Sequence, residues 1–299
     1  MLDEFTYTSS VRNSPEYKDV PILNILEKKQ YPGGAANVAL NIKKLKAIPY
    51  LVGVIGEDDA SKVMHELLHR EDITNLYIHT NPRQKTIRKT RILQDRKPVF
   101  RIDEEAPSEY EPLQNHFVLK HITDAINNHI PHAIILQDYN KGVLNATVIP
   151  EIIALAKRHN MLICVDPKFD NWELYKEVDL FKPNLKEFEF MCKGEPQTLE
   201  EKAKALLDKI KFKSLLVTLG ADGNFIYDGK KTKHLNLKSQ IQHPDVCGAG
   251  DAVIAAASLA MVCSFSLEET ADLANKAGFI VCRKENVQPV TLEELSLSY

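Results

Sequence analysis

The chain has 299 residues, 44% of them hydrophobic and 26% charged, with a net charge of −3. That balance is ordinary for a soluble globular protein and leaves no electrostatic footprint for nucleic acid or a membrane surface. No apolar stretch reaches transmembrane length, and the opening MLDEFTYTSS lacks the basic and apolar regions of a signal peptide, so a cytoplasmic protein is expected.

Residues 1 to 30 read as short extended pieces. Pro32-Gly33-Gly34-Ala35-Ala36-Asn37-Val38-Ala39 then leads into a helix over Ala36 to Lys46, with Val38, Leu40, Ile42 and Leu45 apolar. Two glycines ahead of a helix let a ligand approach the backbone; Asn37 could cap the helix or bond a ligand hydroxyl. Tyr50 to Ile55 reads as a buried strand, Asp59 to His69 as a helix and Ile73 to His79 as a strand. Lys85 to Leu93 and Pro98 to Ile102, split by Asp95-Arg96-Lys97, form a predicted antiparallel hairpin. Residues 83–101 hold eight Lys or Arg and one acid, which suits either a solvated hairpin or a positive lid over a phosphorylated ligand.

Further on, His132 to Leu136 is a predicted strand running into Gln137-Asp138. Val148 to His159 is helical, and Leu162 to Val165 is a strand ending in Asp166-Pro167. Asn184 to Cys192 is helical. Thr198 and Glu201 make a capping box ahead of a helix to Ile210. Ser214 to Thr218 is a strand that turns through Gly220 and Gly223 into another. Ala252 to Cys263 is a buried helix, and Ser266 with Glu269 caps a last helix to about Arg283. Continuous apolar strands alternating with helices predict an α/β fold, a doubly wound, mostly parallel sheet with helices on both faces. Ligands then bind at the carboxyl ends of the strands, where Asp138, Asp166 and Thr218 lie. The hairpin and residues 1 to 30 are expected to form a small β lid beside that sheet.

The most informative segment is Asp245-Val246-Cys247-Gly248-Ala249-Gly250-Asp251. A glycine-rich turn opening a helix directs several backbone N–H groups at one point, where the helix dipole adds partial positive charge. A carboxylate at the edge of such an anion hole, Asp251, makes sense if it handles a proton, as phosphoryl transfer to a hydroxyl requires. Asn184 and Glu187 lie on one helical face and could hold a water-bound magnesium ion. The five cysteines and ten histidines show no metal-like spacing.

GGAANVA near the start and DVCGAGD near the end resemble, in order, separation and context, the two signatures of the ribokinase-like (PfkB) sugar kinases. The segments RKTRIL…RIDEE (88–105), QDYNKGVL (137–144), VDPK (165–168) and KPNLKEFE (182–189) are similar to those of the heptose-7-phosphate kinase domain of bacterial ADP-heptose synthases. The resemblance covers nearly the whole chain and implies one kinase domain over residues 1–299, with lid segments at about 1–30 and 85–103. It implies ATP and Mg²⁺ as cofactors and a heptose 7-phosphate acceptor phosphorylated at its anomeric hydroxyl, for ADP-heptose and lipopolysaccharide core synthesis. Asp251 would be the base, with the backbone of Gly248, Ala249 and Gly250 as the anion hole. Asn184 and Glu187 would organise Mg²⁺ through water and the ATP phosphates. Thr218, Gly220 and Gly223 would line the nucleotide site, with Asn275 near the adenine. Asp3, Gly33, Gly34 and Asn37 would hold the sugar, and Lys89, Arg91, Arg101 and Lys168 its phosphate. A homodimer through the lid is a further family-level expectation. A ribokinase- or fructokinase-like specificity, or a weakly active relative that binds sugar phosphate or nucleotide, are the alternatives.

The chain departs from the family's pattern at four places. The first core strand, which ends in Gly-Asp ahead of a segment like Met1-Leu2-Asp3, is not found, so either the start lies upstream of Met1 or the sheet lacks a central strand. Cys247 stands where a small residue such as Thr is usual. Residues Glu285-Asn286-Val287-Gln288-Pro289 replace a Gly-Thr loop that helps frame a monovalent-cation site, which puts cation activation in question. The pattern of the fused nucleotidyltransferase domain is not found, so adenylyl transfer is expected to need a separate protein.

Overall fold

The computed structural model describes residues 1–9, 12–17, 20–105, 112–194, 198–237, 239, 241–242 and 244–297, so part of the expected lid segment (10–11 and 18–19) lies outside the described residues. The chain opens with β1 (Leu2–Thr8), β2 (Arg12–Asn13), β3 (Pro21–Ile22) and β4 (Ile25–Pro32). There follow α1 (Ala35–Lys44), β5 (Leu51–Ile55), α2 (Asp59–Arg70), β6 (Leu76–Thr80), β7 (Arg88–Gln94), β8 (Lys97–Glu104) and α3 (Pro112–His129). The middle of the chain is β9 (Ala133–Gln137), α4 (Val148–Arg158), β10 (Leu162–Asp166), β11 (Leu180–Phe181), α5 (Leu185–Met191) and α6 (Leu199–Ile210). The last part is β12 (Ser214–Thr218), β13 (Asn224–Tyr227), β14 (Thr232–Leu235), α7 (Ala249–Val262), α8 (Leu267–Cys282) and α9 (Leu292–Leu297).

The main sheet has the order β14-β13-β12-β11-β10-β9, with β9 to β12 parallel and β13 and β14 antiparallel. Successive residues of its strands point to opposite faces. Ile163, Val165, Phe181, Leu215 and Val217 therefore pack with α3, α4, α5 and α6. Cys164, Leu180 and Leu216 pack on the other face with α1, α7 and α8. This two-sided burial is why the strands read as unbroken apolar runs. The capping boxes at Thr198 and Ser266 form as expected.

The lid is a four-stranded sheet, β4-β1-β7-β8, built from the two expected segments. β1 runs parallel to β7 and antiparallel to β4. Strand β6 starts at Leu76, three residues later than expected, because Ile73 is buried in the turn after α2. Helix α3 is absent from the sequence reading, although Val118, Ile122, Ala125 and Ile126 follow helical spacing and are buried. Strand β11 has two residues and α9 six, too few for a period to register.

Among the described residues, strands β5 and β6 pair only with each other, and no ladder joins β5 to β9. Between them lies an apolar cavity of about 680 Å³, lined among others by Val52 and Val54, Ile134 and Leu136, Ile42 of α1 and Ile122 of α3.

Candidate active site

Helix α7 begins at the carboxyl end of the parallel sheet. Gly248 is its N-cap in a left-handed conformation (φ 77°), and a Cβ there would lie 2.7 Å from Asn37 Nδ2. Glycine is required both by the backbone angle and by the close approach of α1. The first turn of a helix leaves its N–H groups without intrahelical acceptors. The Ala249 N–H bonds the Val246 carbonyl at 3.3 Å, so of the three expected hole donors this one is partly engaged in the turn itself.

Asp251, in that first turn, is buried. Its Oδ2 accepts from Asn37 Nδ2 at 2.7 Å; its Oδ1 accepts from the Tyr139 hydroxyl at 2.9 Å and from Gln137 Nε2 at 3.2 Å. Burial pushes its pKa up to about 7, and nearby Asp166 adds to the rise, while the Asn37 and Tyr139 hydrogen bonds pull the other way. Burial and the adjacent Asp251 hold the Tyr139 hydroxyl well above its usual pKa, so it remains a donor. The result is a carboxylate in a dry pocket that can take up a proton near neutrality.

Asn37 was expected on the sugar. Its amide nitrogen donates to Asp251, and its Oδ1 accepts weakly from Asn41 at 3.3 Å. A buried carboxylate needs donors, and α1 supplies this one. Gly33 and Gly34 border the same space. The Gly33 N–H bonds the Met1 carbonyl at 2.9 Å, and Gly34 faces the Tyr139 ring. Asp3 lies against Gly33 and pairs with Arg91 at 2.6 Å, so the Arg91 guanidinium is partly neutralised by its own lid.

The basic residues of the lid divide by partner. Lys89 lies 5.4 Å from the centre of the Tyr139 ring, and burial followed by Arg101 lowers its pKa. Arg101 turns its fork onto Asp103, at 2.7 Å for both contacts, which leaves it less available to a phosphate than its charge suggests. Lys168, grouped by sequence with the phosphate contacts, pairs with Glu187 and lies 5.6 Å from the centre of the same Tyr139 ring. Burial works against its ammonium, but Asp166 and Glu187 outweigh it and raise its pKa.

Asn184 and Glu187 form a reciprocal capping box at the start of α5. Asn184 Oδ1 accepts from the Glu187 N–H at 3.0 Å, and Glu187 Oε2 from the Asn184 N–H at 2.8 Å. Lys168 holds the other carboxylate oxygen, and a divalent cation placed here would meet one carboxylate and one amide oxygen, a donor set that suits Mg²⁺ held mostly through water. Thr218 is bridged to Asn184 at the neighbouring strand end. Gly220 and Gly223 both have positive φ in the turn after it, and a Cβ on Gly223 would meet the Leu235 carbonyl at 2.1 Å. Asn275 donates to that same carbonyl at 2.9 Å. The expected nucleotide residues thus form a continuous rim.

Asp138, flagged as a strand-end acid, is structural: it accepts from Tyr175, Asn171 and the Asn140 N–H. Cys247 is packed among Phe5, Leu93 and Val287, and burial pushes its thiol up to about 12, so it stays neutral. The 285–289 loop is tied by the Asn286 N–H to Asp245 at 2.7 Å and by the Tyr7 hydroxyl to Asn286 Oδ1 at 2.9 Å. Gln137, Tyr139 and Lys182 were not singled out from the sequence. Only the position of Gln137 and Tyr139 at a strand end could have pointed to them.

The chain matches the model of the pfkB family carbohydrate kinases over residues 6–294. It is 35% identical over 302 residues to the bifunctional protein HldE of Coxiella burnetii (strain Dugway 5J108-111), covering 99% of this chain and 61% of that protein. The HldE of Yersinia enterocolitica is 35% identical over 303 residues, with 98% and 61% covered. The chain therefore spans about 61% of the length of these relatives. Among solved structures it resembles phosphofructokinase-2 from Escherichia coli in complex with fructose-6-phosphate (TM-score 0.77, 16% identity, 99% of this chain and 94% of that one). It also resembles ribokinase from Arabidopsis thaliana complexed with ribose and ATP (TM-score 0.72, 19% identity, 99% and 95%). No helix among the described residues is long and apolar enough to cross a membrane. A match that spans nearly the whole chain, over a doubly wound sheet with a β lid and a Gly-Ala-Gly-Asp helix start, makes this protein a member of the pfkB family of carbohydrate kinases.

Proposed function

We propose that this kinase transfers the γ-phosphoryl group of ATP to the anomeric hydroxyl of a heptose 7-phosphate, giving the 1,7-bisphosphate and ADP. Asp251 carries most weight: a buried carboxylate with a pKa near 7, at the mouth of a helix N-terminus, suits proton removal from a sugar hydroxyl. As the O–P bond forms and the bond to the ADP oxygen breaks, the hydroxyl proton passes to Asp251. Asn37, Tyr139 and Gln137 keep the carboxylate aimed, and the first-turn N–H groups of α7 meet the charge on the moving phosphoryl. Mg²⁺, held through water by Glu187 and Asn184, would neutralise the ATP phosphates.

The choice of sugar rests on the near-complete match to HldE proteins and on the basic face of the lid, where Lys89 and Arg91 suit a dianionic phosphate. Residues 1–299 act in this reading as one kinase domain. The exposed Val99, Phe100 and Ile102 of β8 support pairing of two lids in a homodimer. A coupled assay of ADP release tests the specificity, with D-glycero-D-manno-heptose 7-phosphate compared with fructose 6-phosphate and ribose. A higher kcat/KM for either of the latter two would overturn the assignment of the acceptor.

A further inference from the structure

Behind Asp251 a second carboxylate and a lysine are buried, and the transfer as described uses neither. Asp166 ends β10, and Lys182 directly follows β11; both are almost fully buried. Lys182 Nζ lies 3.1 Å from Asp166 Oδ2. Gln137 ends β9 and stands opposite Asp166 in the parallel ladder. Its Nε2 donates to Asp166 Oδ2 at 3.0 Å and to Asp251 Oδ1 at 3.2 Å. An amide nitrogen has two hydrogens, and here each is directed at a different carboxylate. The Gln137 carbonyl oxygen has no hydrogen-bond partner among the described residues, so the two acids alone set the orientation of the amide. A Cβ on Gly250 would lie 3.8 Å from Asp166 Oδ2 and 3.9 Å from Lys182 Nζ, so the pair rests directly against the anion-hole turn.

A buried ion pair contributes little net stability compared with an apolar pair of the same volume. Its charge, however, acts strongly on neighbours in the same dry pocket. We propose that Lys182 is a positioning residue: through Asp166 and Gln137 it holds the Asp251 carboxylate at the anion hole and balances the negative charge that Asp251 faces. The proposal rests on the kinase reading above.

The other groups around Asp251 have other partners. Asn37 and Tyr139 donate to it directly, with Lys89 over the Tyr139 ring. Asp3 adds negative charge but pairs with Arg91, and Lys168 faces both acids but pairs with Glu187. Lys182 is the lysine bonded to Asp166. Without it, two carboxylates joined by one amide would repel, and Asp251 would keep its proton to higher pH.

Three variants test this: Lys182→Met, Asp166→Asn and the double variant. The pH profile of kcat/KM for the sugar phosphate is expected to lose about fivefold at pH 7 in Lys182→Met, through an acid limb displaced upward by roughly one pH step. Asp166→Asn moves the limb downward, and the double variant brings it back near the parent. A double variant as impaired as Lys182→Met, with the same acid limb, would overturn the proposal and place Lys182 on the phosphoryl group or in the fold. A second measurement is independent of turnover: ¹³C NMR titration of Asp251 in the ligand-free protein, its signal assigned with Asp251→Asn. A midpoint displaced in the same pattern supports the proposal even if no sugar is phosphorylated, in which case the kinase reading alone fails. A midpoint unmoved in all three variants overturns it whatever the activity.

Discussion

Asn37 and Asp251 stand 214 residues apart in sequence and meet through one hydrogen bond of 2.7 Å between the first turns of α1 and α7. The two helices pack over the same face of the sheet through Val38, Ile42, Val253 and Ile254. The two PfkB signatures are thus the two halves of one contact. Asn37→Leu removes a donor that favours the carboxylate form of Asp251, so Asp251 should protonate at higher pH. Activity is expected to fall roughly 10- to 100-fold at pH 7 and to recover partly at pH 8.5. A loss of equal size at both values would place Asn37 on the sugar instead.

Gly248 sits at the same junction. Alanine there meets two obstacles, a left-handed backbone angle and a Cβ 2.7 Å from Asn37 Nδ2. The strain should cost about 1–3 kcal/mol in denaturant unfolding and displace Asn37 from the base. Turnover should fall at least 100-fold. Gly220→Ala, also at positive φ but with open space around its Cβ, is the comparison: it should cost stability without removing the base contact.

Much of this junction was legible in the chain. The glycine pairs Gly33-Gly34 and Gly248/Gly250 mark both helix starts, and the apolar runs of β9, β10 and β12 point to the parallel sheet. The partners of each polar group were not legible. Asn37 reads equally well as a cap, a sugar ligand or a donor to a carboxylate, and only the packing of α1 on α7 decides. Lys168 carries the same charge as Lys89, and its place beside Glu187 depends on how β10 and α5 adjoin. Lys182 follows the apolar Leu180-Phe181, but a lysine at a strand end reads as solvated, and its near-complete burial against Asp166 depends on how β10 and β11 adjoin.

The lid residues should separate by the partners they already have. Lys89 has no carboxylate bonded to it among the described residues, whereas exposed Arg96 at the hairpin tip pairs with Glu285. Lys89→Ala is therefore expected to raise KM for the sugar phosphate about tenfold or more while KM for ATP stays near the parent value. Arg96→Ala should change neither by more than about twofold. Equal effects of both variants on the sugar phosphate would mean a diffuse field of the hairpin rather than a local contact.

The cavity between β5 and β9 offers a substitution that stabilises. Gly53 lies in β5 and lines the cavity, and a Cβ built there meets nothing within 4 Å. Gly53→Val adds apolar contact and restricts the unfolded chain, without a positive φ to oppose it. Urea unfolding should show a gain of about 0.5–1.5 kcal/mol with an unchanged m value. A loss of stability would show that the cavity closes in solution and has no room for the side chain.

Asp251 should also leave a signature in stability. Its pKa is about 7 in the folded protein, against an ordinary 3.8 for an aspartate in water. Between those values the folded protein holds a proton that the unfolded chain has released, so stability falls as pH rises through this window and the cost is complete above pH 7. Asp251→Asn removes the titrating group. Its amide must place an N–H₂ opposite one of the donors, which adds a cost that does not vary with pH. The difference in unfolding free energy between variant and parent should therefore shift in favour of the variant by ~1–3 kcal/mol from pH 5 to pH 8, whatever its absolute sign. Denaturant melts at four or five pH values check this. A difference constant across the range would mean that Asp251 is ionised throughout, with a pKa too low for it to hold the proton taken from the sugar at neutral pH.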